Sequence, residues 1–150
     1  MELRANLGKL APQLYKSMEQ MEAQSAQFAQ EAGLDKGFCH LLKLRASQIN
    51  GCAFCLRMHA RDALAAGESP DRLAVLPAWR ESRYFSDAEG AALALMEAVT
   101  AIADGQVPDA VYAQAKAVLS DAQIAAVEWI GVVINGWNRI AISSRYPVAP

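Results

Sequence analysis

Cys52, Cys55 and His59 put two thiols and an imidazole within eight residues, directly after Asn50-Gly51. If a helix starts at or just after Asn50-Gly51, Cys52 falls in its first turn, Cys55 three residues on and His59 four beyond that. This spacing gathers all three side chains on one helical face. A cysteine reacts as its thiolate, and an unperturbed pKa of about 8.5 leaves only a small ionised fraction at neutral pH. Two sources of activation are at hand. The partial positive charge of a helix amino terminus acts most strongly on Cys52, and His59, one turn past Cys55, can accept its proton. A second thiol at this spacing resolves a sulfenic acid into a disulfide. The chemistry expected is that of a redox-active dithiol with a histidine to manage its protons.

Two other uses of the same residues compete. Cysteine packs well in cores, so the pair could be structural. A tetrahedral zinc site could form from Cys52, Cys55 and His59 with His40 or Cys39 as fourth ligand, although the second CxxC common in zinc modules is absent. Cys39 lacks a partner at motif spacing and reads as a small core residue. It adjoins His40, but neighbours on a helix point about 100° apart, so both cannot face the dithiol equally.

The elements that must hold these residues are helical. Leu7, Leu10, Leu14, Met18 and Met21 recur at three- and four-residue steps, which predicts an amphipathic helix to Glu31 or Ala32 with a loose start around Gly8 to Pro12. A second helix is expected over Asp35 to Gln48, with Lys43 and Arg45 near its carboxyl end, where positive charge suits the dipole. Asn50-Gly51 is a turn or cap, followed by a helix from about Ala53 to Ala66 and a short one capped by Ser69 with Pro70 at its first position. Pro77 to Phe85 reads as an irregular loop. Ser86-Asp87-Ala88-Glu89 and Ser120-Asp121-Ala122-Gln123 are capping-box patterns, opening helices that run through Ile102 and to about Ser143, with another from Pro108 to about Leu119 between them. No window alternates as a strand. The class is all-α with six or seven helices in a single domain spanning 1–150, in which 1–33 is an N-terminal helical extension and 147–150 a disordered tail.

At 150 residues the chain is long enough to bury roughly two-thirds of its unfolded surface without a staple. The 14 Lys and Arg against 16 Asp and Glu, with no basic run, exclude a nucleic-acid partner. The longest apolar stretch, Ile124 to Trp137, is interrupted by Glu128 and Asn135 and is shorter than the roughly 20 residues of a membrane span. The amino terminus lacks the apolar core of a signal peptide, which points to the cytoplasm and makes a structural disulfide framework improbable. A hydrophobic fraction of 53% would suit subunit contacts. Trp79, Trp129 and Trp137 read as core or contact residues, Asn135 and Asn138 need hydrogen-bond partners if buried, and Arg45, Arg57 and Arg61 read as solvated or ion-paired.

Arg45-Ala46-Ser47-Gln48-Ile49-Asn50-Gly51-Cys52-Ala53-Phe54-Cys55 through Met58-His59, with Asp62-Ala63 and Ala66-Gly67-Glu68, resembles the core of the AhpD-like alkylhydroperoxidases within the carboxymuconolactone decarboxylase superfamily. The similarity extends through Leu76 to Glu81, Ser86 to Ala98 and Ile134 to Arg139, most of the chain after about Gly33. The resemblance implies an all-helical subunit that assembles as trimers or hexamers and reduces hydroperoxides through its cysteine pair, without cofactor or resident metal. Cys55 would be the thiol that becomes sulfenic acid, Cys52 the proton donor and resolving thiol, and His59 part of a proton relay. The reductant would be a thiol or a dihydrolipoamide-bearing protein, and a general thiol-disulfide reductase is the neighbouring possibility. Superfamily members that do decarboxylase or other chemistry lack the cysteine pair, so the intact pair argues against that branch.

In the family the relay begins with a glutamate twelve residues before the first cysteine, a position held here by His40. Imidazole can still shuttle a proton, donating from one nitrogen while accepting at the other. Its electrostatic effect differs, because a carboxylate raises the pKa of a neighbouring histidine and a charged second histidine lowers it. His40→Glu should therefore shift the pH profile of peroxide turnover. An unchanged profile would remove His40 from the relay.

Overall fold

The computed structural model describes residues 3–150, all of whose regular structure is helical. The α-helices are α1 (Leu7–Leu10), α2 (Pro12–Glu31), α3 (Lys36–Asn50), α4 (Ala53–Ala65), α5 (Pro70–Val75), α6 (Asp87–Thr100), α7 (Asp109–Val118) and α8 (Asp121–Ser143), with a 3₁₀ helix at Leu76–Glu81. Among the described residues, eight α-helices stand where six or seven were expected. The extra one comes from the amino-terminal segment, where Ala11 leaves helical geometry (φ −132°, ψ 68°) and Pro12, which has no N–H to donate, restarts the helix at its first position. Two more boundaries differ. The segment expected as an irregular loop begins with the 3₁₀ helix, and α6 ends at Thr100, so Ile102 lies beyond it.

Local chemistry explains most of the starts. Asp35 Oδ2 accepts the Phe38 N–H at 3.0 Å to cap α3. Both capping boxes form: Ser86 Oγ accepts from Glu89 N at 3.1 Å while Glu89 Oε1 accepts from Ser86 N at 3.0 Å, and Ser120 and Gln123 repeat the exchange at 3.1 and 3.0 Å.

α8 is the central element, with α2, α3 and α6 laid against it and α4 packed mainly on α3. Leu41 and Leu42 of α3, Leu93, Leu95 and Met96 of α6, and Val127, Ile130 and Ile134 of α8 are buried together. Each such side chain contributes about 1.5–3 kcal/mol on burial. α6 and α8 approach closely because residue 131 is glycine: a Cβ there would lie 2.9 Å from Val99 Cγ1. The amino-terminal apolar stripe is buried only in part, since Leu10 and Leu14 stay exposed while Ser25 and Ala29 are the buried residues of α2. Residues 147–150 carry no regular structure, and Arg57 Nη1 donates to the Ala149 carbonyl at 2.8 Å. Among the described residues no helix is long and apolar enough to cross a membrane.

A polar network ties the end of α3 to α8 inside this apolar packing. Ser47 Oγ donates to the Lys43 carbonyl at 2.8 Å and accepts from Asn138 Nδ2 at 3.0 Å. Asn50 Nδ2 donates to Asn138 Oδ1 at 2.9 Å and to Asn135 Oδ1 at 2.8 Å, and Asn135 Nδ2 donates to the Gly131 carbonyl at 2.8 Å. The partners expected for Asn135 and Asn138 thus lie within the chain, at a neighbouring helix end. Arg45 is ion-paired with Glu97 at 3.1 Å, and the same carboxylate accepts from Trp79 Nε1 and from Arg80. Burial pushes the Glu97 carboxyl up, but these hydrogen bonds outweigh it and hold the group below its ordinary value.

Asn138→Ala would take from Ser47 Oγ and Asn50 Nδ2 one hydrogen bond each and open a gap beside the buried Ser47, at a cost of about 1–3 kcal/mol. Urea denaturation should show a lower midpoint with an unchanged slope.

Candidate redox site

The turn that carries the cysteines is built by the last residue pair of α3 and the glycine after it. Gly51 adopts a left-handed conformation (φ 70°, ψ 36°) and donates its N–H to the Ser47 carbonyl, as Cys52 N also does at 3.0 Å. Cys52 is then extended (φ −89°, ψ 95°) and becomes the N-cap of α4, its Sγ accepting the Cys55 N–H at 3.3 Å. It sits one residue outside the first turn in which the spacing put it, because as N-cap it keeps extended backbone and α4 begins at Ala53. Cys52 and Cys55 are joined by a disulfide, with Cα atoms 5.4 Å apart. Both are buried, at 1% exposure.

Cys55 lines a cavity of about 340 Å³, and Cys52 is not part of its wall. Tyr15, Phe54, Trp137 and Tyr146 supply the aromatic wall, with Phe54 edge-on to Tyr146 at 5.1 Å and Tyr15 edge-on to Trp137 at 5.2 Å. Trp137, read from sequence as a core or contact residue, packs against the core and also faces this space. Tyr146 was not singled out by the sequence. Burial raises its hydroxyl pKa, and Tyr15 beside it adds to the effect.

His59, 4% exposed, and the half-buried His40 line the same cavity, with their Nδ1 atoms 3.3 Å apart. One nitrogen must carry the proton and the other accept it. Burial, then the Lys43 ammonium and then His40 push the His59 pKa down to about 3. His40 is lowered too, by burial first and Lys43 second. The histidine at position 40 therefore acts on His59 in the direction opposite to a carboxylate.

Lys43 is a neighbour of the two histidines that sequence reasoning placed elsewhere. α3 continues to Asn50, so Lys43 is not in its last turn. It is buried and ion-paired with Glu22 of α2. Its i,i+3 relation to His40 was a legible signal of a shared face, but Glu22 comes from another helix. Glu19, Glu22 and Asp62 complete the charged lining.

Cys39 stays outside the disulfide, packs on the core and has its thiol pushed up to about 11 by burial, against a smaller opposing effect of Lys43. With Cys52 and Cys55 bonded to each other, neither offers zinc a thiolate in this state. Among the described residues, the grouping with ligand-like distances is instead His40, His59 and Asp62, whose donor atoms all lie within 4.8 Å of one another.

The carboxymuconolactone decarboxylase family matches residues 12–98, and a Bacillus subtilis relative, the uncharacterised protein YdfG, is 36% identical over 143 residues, covering 95% of each chain. The chain belongs to the carboxymuconolactone decarboxylase family. Within it, the AhpD-like resemblance is supported by the crystal structure of ATU0492 from Agrobacterium tumefaciens, described as a protein of unknown function and a candidate AhpD antioxidant defence protein. The two share 37% sequence identity and superpose with a TM-score of 0.86 over 99% of this chain and 100% of that one. The family match takes in α2 through most of α6.

An unfolded histidine protonates near 6.5 and the folded His59 near 3, so the unfolded chain binds more protons between these values, and the His59 contribution to stability declines as pH falls below about 6.5. In the disulfide form, the His59 ring resonances should show no protonation step between about pH 8 and pH 5 in an NMR titration. A midpoint near the ordinary histidine value would refute the buried, neutral state.

Proposed function

We propose that the protein is an AhpD-like thiol peroxidase that reduces organic hydroperoxides to alcohols. The observation that carries this reading is the disulfide-capable pair at the amino terminus of α4, with Cys55 facing an aromatic-walled cavity that also holds His59 and His40.

In the reduced protein, His59 accepts the Cys55 proton, and the thiolate attacks the terminal peroxide oxygen. The O–O bond breaks, Cys55 becomes a sulfenic acid, and the departing alkoxide takes a proton through the histidine pair and leaves as alcohol. Cys52 then attacks the sulfenic sulfur, water leaves and the disulfide forms. Two electrons and two protons pass from the dithiol to the peroxide. A thiol or dihydrolipoamide-type reductant, in a reducing compartment such as the cytoplasm, returns the disulfide to the dithiol. The buried sulfurs favour a small or slender substrate over a bulky protein disulfide, which weighs against a general thiol-disulfide reductase.

The chain is also proposed to work as a homo-oligomer, a trimer or hexamer. The half-exposed Trp129 and Val132 of α8 and the exposed Leu10 and Leu14 support subunit contacts.

An anaerobic thiol count before and after one equivalent of an organic hydroperoxide should fall by two, with Cys52 and Cys55 recovered as a disulfide. Cys55→Ser should lower peroxide consumption at least about 1000-fold, and His59→Gln should slow it about 100- to 10,000-fold. No thiol loss would sink the peroxidase reading, and a Cys55→Ser variant that still turns over would reverse the order of the cysteines.

A further inference from the structure

We propose that His40 Nδ1, His59 Nδ1 and the Asp62 carboxylate form a binding site for a divalent transition-metal cation such as Zn²⁺, and that a cation held there switches off peroxide turnover. The inhibitory half rests on the peroxidase reading; the binding half does not.

The spacing of the two imidazoles is the first argument. Donors about 2.0–2.1 Å from a zinc ion and subtending a tetrahedral angle lie about 3.3–3.4 Å apart. The two Nδ1 atoms are 3.3 Å apart, which is the separation that one ion bound to both requires. Asp62 Oδ2 lies 3.8 Å from His59 Nδ1, and its half-exposed side chain, one turn on along α4, needs only a small rotamer adjustment to close the triad. Water fills the remaining position from the solvent side. Two imidazoles and one carboxylate suit zinc, cobalt or nickel, whereas magnesium and calcium prefer oxygen ligands.

Charge is the second, independent argument. The cavity sets three carboxylates, Glu19, Glu22 and Asp62, against one ammonium, Lys43. Lys43 is the one group that opposes a cation, and it is paired with Glu22. The carboxylates left over balance a charge of two. The bonded cysteines contribute neither charge nor thiolate. A cation here occupies the nitrogen lone pairs through which His59 and His40 exchange protons, so metal binding and proton transfer exclude each other.

The test begins with chelator-treated protein kept in its disulfide form and titrated with Co²⁺. One equivalent should bind, with visible d–d absorption and no thiolate-to-cobalt charge-transfer band, and Zn²⁺ should displace it. Asp62→Asn should weaken binding at least about 10-fold, and His40→Ala should abolish it. No cobalt spectrum, a thiolate band, or unchanged affinity in Asp62→Asn overturns the site. In the peroxidase assay Zn²⁺ should inhibit and chelator should restore turnover. With each variant's inhibition normalised to its own rate in chelator, Asp62→Asn should need at least about 10-fold more Zn²⁺ for half-inhibition. Inhibition independent of Asp62 assigns the effect to the thiolates and overturns the inhibitory half. If the metal-free protein consumes no peroxide, the peroxidase reading fails while the cobalt titration still decides the site.

Discussion

The hydrogen bond between Asn138 and Ser47 is the contact on which the geometry of the site depends. Asn138 is fully buried, and both ends of its amide are used, one by Ser47 and the other by Asn50. An apolar contact between α3 and α8 would tolerate sliding by a fraction of a turn. A satisfied buried amide does not, because every displaced register leaves a donor or acceptor without water or partner. The register set by this pair carries forward through one turn of chain. Ser47 also supplies the carbonyl that receives the N–H groups of Gly51 and Cys52. The left-handed glycine, the extended Cys52 and the start of α4 follow from it, and with them the approach of the two sulfurs.

The electrostatics of the site follow from the same enclosure. Burial keeps His59 uncharged, and the Lys43 ammonium is paired inside with Glu22, which reaches it from α2. Position 40 lacks the carboxylate that the AhpD-like pattern expects, yet carboxylates remain near the histidine pair, drawn from α2 and α4 instead. The negative charge is redistributed around the cavity, and the second imidazole beside His59 lowers its proton affinity where a carboxylate would raise it.

α2 therefore has more than a covering role. It brings Tyr15 to Trp137, Glu22 to Lys43 and Glu19 to the cavity wall. Read along the chain it looked like an extension ahead of the motif, because its contacts lie far off in sequence: Glu22 is 21 residues from Lys43, and Tyr15 meets a residue near the end of α8.

Local chemistry was enough to read much of this protein from its sequence. Caps, capping boxes and helix stops act over three or four residues, so the helices flanking the motif, the glycine turn and the spacing of Cys52, Cys55 and His59 were legible, as was the family kinship in the stretch from Arg45 to His59. The break at Pro12 and the 3₁₀ segment at Leu76–Glu81 were less so, since packing decides how a proline-bearing stretch settles. What only the tertiary structure decided was the company each residue keeps: Cys55 in the cavity wall and Cys52 outside it, His40 at hydrogen-bond distance from His59, Lys43 buried against Glu22, and Trp137 and Tyr146 in the wall. Those outcomes depend on how separate helices pack, and the free energy of burial that fixes them is a property of the assembled core, which helical periodicity alone does not encode.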